Sequence, residues 1–117
     1  MSSLRITATL LDVDDTFNVS DVINVTTTND ALDFRRVEIG TGEETHTIDA
    51  DIGDCGYCFL KNRDATNFVQ VGFATTVYNI RLLAGQVAVF PLEPSTSALY
   101  LKADTAACEV DIYIREV

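Results

Sequence analysis

The sequence predicts an all-β fold: a two-sheet antiparallel β-sandwich, jelly-roll or immunoglobulin-like, with about nine or ten short strands in a single domain over residues 1–117. Three observations predict it. From Tyr57 onward the apolar runs YCFLKN, NFVQVGF, TVYNIRLL, QVAVF, ALYLKA and ACEVDIYI alternate with short links rich in Gly, Pro, Ser, Thr, Asn and Asp. In the last run Cys108, Val110, Ile112 and Ile114 point one way and Glu109, Asp111, Tyr113 and Arg115 the other, giving one dry and one wet face. No stretch sustains the 3.6-residue period of an amphipathic helix. So many strands in one sheet would leave a face wet and two edges open, so two sheets are expected.

Each element has its own signal. Leu4, Ile6, Ala8 and Leu10 alternate with Arg5, Thr7 and Thr9, giving a first strand over residues 4–11. Residues 22–28, VINVTTT, are β-branched except for Asn24 and give a second, with Asn29-Asp30 as its turn. Phe34 to Ile39 form a third, closed by Gly40-Thr41-Gly42, and residues 43–49 a polar return strand, so a hairpin at a sheet edge is expected. Asn62 to Asn67 reads as a turn whose Asx and Thr side chains satisfy backbone groups that the strands leave behind. Gly85 precedes the QVAVF strand, and Pro91 and Pro94 stop it because proline has no ladder donor. Ser95-Thr96-Ser97 and the Asp104 to Ala107 turn link the last strands.

Composition excludes several classes of function. Eighteen acidic against eight basic residues give a net charge of -10, which repels nucleic-acid backbones and anionic membranes. No run approaches the roughly 18 apolar residues of a membrane helix. The N-terminus MSSLRITATLLDVDD lacks the basic and apolar regions of a secretory signal. Synthesis in the cytoplasm is therefore expected, and Asn18-Val19-Ser20 and Asn24-Val25-Thr26 are read as chance glycosylation triplets.

The chemistry-bearing residues point away from catalysis. Asp12-Val13-Asp14-Asp15-Thr16 follows an apolar strand, as in the nucleophile loop of haloacid-dehalogenase-type phosphatases, but the crossover helices of that fold are missing. Asp12, Asp14 and Asp15, with Asp21, are hard oxygen donors that a turn could bring to one Ca²⁺, although the Gly and Glu of an EF-hand loop are absent. A solvated acidic turn is the favoured reading. Cys55-Gly56-Tyr57-Cys58 has redox or zinc spacing but precedes strand-like residues, so these thiols and Cys108 are read as free small apolar groups. His46 has no neighbouring nucleophile and is read as an exposed or partnered structural residue. No cofactor is expected.

The segments Leu60 to Asn62, Asp64 to Val69, Leu83 to Phe90 and Tyr100 to Ala107 resemble the strand and turn signatures of small β-sandwich virion proteins of tailed bacteriophages. The resemblance covers about half of the chain. It implies a non-enzymatic structural protein of the virion, decorating or cementing the capsid in several copies, with a neck or tail position as the alternative. The implied partners are the major capsid protein or other virion proteins and further copies of the chain. The contact residues expected on general grounds are Phe34, Arg36 and Glu38 on the third strand, with Tyr78, Tyr100 and Tyr113, because aromatics and Arg are enriched in interface cores. A reading of another class is a ligand-binding module, such as a calcium-dependent or carbohydrate-binding adhesion domain; the lack of Trp counts against it.

Overall fold

The structure, a computed structural model, describes residues 2–14 and 17–117. Among them are ten strands and no helix. The chain forms two compact units, one made of residues up to Asp30 with Val117 and the other of Ala31–Glu116.

The first unit is a two-stranded antiparallel ribbon, β1 (Ser2–Leu11) against β2 (Asn18–Thr27), in unbroken register from Ser2↔Thr27 to Leu11↔Asn18. The Asp12 N–H donates to the Phe17 carbonyl at 3.0 Å and extends the ladder by one pair. The second strand begins earlier than its β-branched run suggests: Asn18, Ser20 and Asp21 have little strand propensity, and pairing with β1 carries them into the ladder.

The second unit holds β3 (Leu32–Ile39), β4 (Glu44–Thr47), β5 (Cys55–Asn62), β6 (Val69–Gly72), β7 (Ile80–Leu82), β8 (Val87–Pro91), β9 (Ala98–Ala103) and β10 (Cys108–Glu116). They form two four-stranded sheets, ordered β3-β10-β5-β8 and β4-β9-β6-β7. Every connection except β6 to β7 passes from one sheet to the other, which is jelly-roll topology. An immunoglobulin-like sandwich would instead keep its first two strands in one sheet. Leu60, Val110, Ile112 and Ile114 from one sheet and Val69, Val71, Leu99 and Leu101 from the other are at most 1% exposed and belong to a single core. Burial of such residues is the main stabilising contribution, at about 25 cal/mol per Å² of apolar surface.

Two expectations are corrected. β3 and β4 are not a hairpin: β3 pairs with β10, β4 pairs with β9, and residues 40–43 turn the corner between the sheets. Periodicity marks a strand but does not choose its neighbour, and each of these short strands is paired with an apolar one. Both lie at sheet edges, as expected. The TVYNIRLL run contributes only Ile80–Leu82 to a strand, because Thr76 takes a positive φ of 61° and Ala74 bridges to Val77. Gly72 permits that turn, since a Cβ there would lie 1.7 Å from the Val77 carbonyl oxygen.

The Asn62 to Asn67 turn is held as expected. Asp64 Oδ2 accepts the Thr66 and Asn67 N–H groups at 3.0 and 2.6 Å. Asn62 is fully buried; its Nδ2 donates to the carbonyls of Asn67 and Leu82 at 2.9 and 3.1 Å, and its Oδ1 accepts the Asp64 N–H at 3.0 Å. Pro91 ends β8, an edge strand, where its missing N–H costs no ladder bond.

Candidate interaction surfaces

The outward residues of the β3-β10-β5-β8 sheet form cross-strand rows. Phe34, Tyr113, Phe59 and Val89 are consecutive partners across all four strands. The Phe34 and Tyr113 rings stack at 4.4 Å, and Phe59 meets Tyr113 edge-on at 5.7 Å. Phe34, Phe59 and Val89 remain 45%, 38% and 39% exposed, so the row is an apolar stripe open to its surroundings. The sequence marked Phe34 and Tyr113 but not Phe59 or Val89. Their signal was the alternation of Phe59 with the buried Cys58 and Leu60.

The adjacent row is ionic. Arg36 lies opposite Asp111 and donates to its two oxygens at 2.7 and 3.3 Å, while Arg63 reaches Oδ2 at 3.1 Å. The Arg36 guanidinium, bonded to Asp111, holds the carboxyl below the usual carboxylate range against the opposing effect of burial. Arg36 is thus committed to the fold, and a contact role for it must share that commitment. Glu38 is exposed and faces Glu109, a like-charged pair that costs stability.

Two tyrosines lie elsewhere. The Tyr78 hydroxyl donates to Glu43, which also accepts the Thr76 N–H; the carboxylate pushes the phenol up to about 12. Tyr78 therefore fastens the residue 73–78 turn to the corner after β3. Tyr100, half-buried on β9, lines a cleft of about 540 Å³ with Phe73, Glu93 and the Ser95-Thr96-Ser97 loop.

In the acidic turn, Asp12 Oδ1 accepts the Asp14 N–H at 3.0 Å, an Asx turn; Asp15 lies outside the described residues. Among the described residues no group of three or more His, Cys, Asp or Glu could hold a metal ion. Cys55, Cys58 and Cys108 are free and buried. A bulge sets Cys55 against Glu116 and Tyr57 against Arg115, so Gly56 is the extra residue and both cysteines of the motif are buried. Burial raises all three thiols above their ordinary value, Cys58 to about 12, which favours the neutral thiol form.

His46 departs from its expected setting. It is 6% exposed, and its Nε2 has no hydrogen-bond partner among the described residues. Desolvation, helped by the nearby Arg35, lowers its pKa, so the ring is neutral at pH 7. It lines a hollow of about 470 Å³ with Arg35, Glu38, Glu44 and the hydroxyl residues Thr45 and Thr47. Its place in phase with Ile48 was the sequence signal for burial.

The ribbon unit presents a second apolar surface. Leu4↔Val25, Ile6↔Ile23 and Leu10↔Val19 lie on one face, and only Asp21, opposite Ala8, breaks it. The other face carries Arg5, Thr7, Thr9, Ser20 and Asn24 with the exposed Leu11 and Val22, and Thr9 and Ser20 are hydrogen-bonded at 3.0 Å. No protein family, curated protein or solved structure matches the chain.

Proposed function

We propose that this protein is a non-enzymatic structural component of a phage particle that docks in several copies on the capsid shell. The Phe34-Tyr113-Phe59-Val89 row carries the reading: an exposed apolar stripe beside the Arg36-Asp111-Arg63 network has the apolar centre and charged rim of a docking surface. The fold alone does not decide function. The particle setting comes from the sequence resemblance, and a jelly roll whose thiols are buried suits a protein that works outside a reducing cell. Contacts to the major capsid protein would be repeated by symmetry, so each can be modest.

The test is quantitative mass spectrometry of purified particles, comparing the natural protein with Phe59→Asp. Many copies per particle, lost in the variant while the soluble variant stays folded, is the expected result. Absence of the natural protein from mature particles would overturn the reading.

A second reading, a carbohydrate-binding module, is favoured by one feature. The cleft between Phe73 and Tyr100 places aromatic rings beside the Ser95, Thr96 and Ser97 hydroxyls and Glu93. Calorimetry with simple glycans distinguishes it, since the docking reading predicts no heat of binding.

A further inference from the structure

We infer that the apolar face of the β1-β2 ribbon is an oligomer interface, covered by the same face of a second copy of this chain. A two-stranded ribbon without a packed face is marginally stable in water. Leu10, Val19 and Ile23 on this face are 66%, 55% and 56% exposed. Phe17, next in the same alternation and paired to Asp12, is 50% exposed.

The character of the face selects the occupant. Its charged residues are Asp21 and, at the Phe17 end, Asp12, and the stretch between them is aliphatic. A chain of net charge -10 repels its copies wherever carboxylates meet, and this face lets two copies touch with few of them. A hollow of about 250 Å³ is lined by Ile6, Ala8, Asp21, Val22 and Ile23, and a two-fold axis would seat an aliphatic side chain of each ribbon in the hollow of the other. From the exposures the apolar face amounts to roughly 500 Å² per copy. Two faces together bury roughly 1,000 Å², the lower bound for a specific interface.

Self-association of the ribbon does not require docking of the sandwich, so its test uses the full-length protein alone in solution. Sedimentation equilibrium should show the natural chain as a reversible oligomer. Ile23→Lys and Leu10→Lys, which put an unpaired charge into the interface, should weaken association by roughly 100-fold or more. Thr7→Lys, on the opposite face, should leave it unchanged. Protection of Cys58 and Cys108 from thiol reagents in every variant reports that the sandwich is intact. A natural chain that stays monomeric at high concentration overturns the inference, and so does equal dissociation by Thr7→Lys. Absence of the natural protein from particles, with its oligomerisation intact, would instead count against the docking proposal alone.

Discussion

The ribbon and the jelly roll use the same alternating code with opposite outcomes. In β10 the residues Cys108, Val110, Ile112 and Ile114 alternate with polar partners and are at most 1% exposed, covered by the opposing sheet. In β1 and β2, Leu10, Val19 and Ile23 obey the same period and remain more than half exposed. Period-2 patterning thus specifies that a strand has a dry face and leaves open what covers it. The sandwich supplies its own cover; the ribbon waits for one.

The largest expected effect sharpens that contrast. Ile112→Ala removes a fully packed side chain and should cost about 4 kcal/mol of unfolding free energy, whereas Ile23→Ala should change sandwich unfolding by less than about 1 kcal/mol. Urea titration followed by exposure of the buried thiols measures both. Equal losses would mean that the ribbon is part of the same cooperative core.

Next in size is the buried polar anchor. Asn62→Ala strips partners from the Asn67 and Leu82 carbonyls and the Asp64 N–H, and should cost about 3 kcal/mol. Thermal unfolding reads this directly.

Acidification should act on the sandwich in two stages. His46 has a folded pKa below its ordinary 6.5, so the unfolded chain takes up a proton first; its contribution is complete above 6.5 and is lost as pH falls towards the folded value. Asp111 and Asp33, lowered by their bonds to Arg36 and Arg35, contribute fully above the ordinary 3.8 and lose that contribution as pH falls through their folded values. Urea midpoints from pH 7 to pH 3 should show both stages. His46→Leu should abolish the first. It should leave neutral-pH stability unchanged or slightly higher, within about 1 kcal/mol, because it removes a buried nitrogen that has no partner.

Much of this molecule was legible in its sequence. The strands, the dry face of β10 and the Asp64 turn follow from spacing and side-chain chemistry that act locally. The partners of β3 and β4 were not legible, because sheet pairing is decided by distant strands. The stripe on the β3-β10-β5-β8 sheet was half visible: Phe34 and Tyr113 stood out as residue types, while Phe59 and Val89 joined them only through register. Arg36 looked like a contact residue because its partner lies 75 positions away. His46 was read as exposed or partnered because its strand is polar by composition, although its phase matched the buried Ile48.

The central claim is that the jelly roll is complete in one chain and the ribbon is not. Amide hydrogen exchange of the natural protein over a series of protein concentrations tests it most directly. The account predicts that β5, β9 and β10 are protected to the same degree at every concentration. Protection in β1 and β2 should be weak when dilute and rise with concentration as copies associate. A ribbon as strongly protected as β10 at the lowest concentration would contradict it.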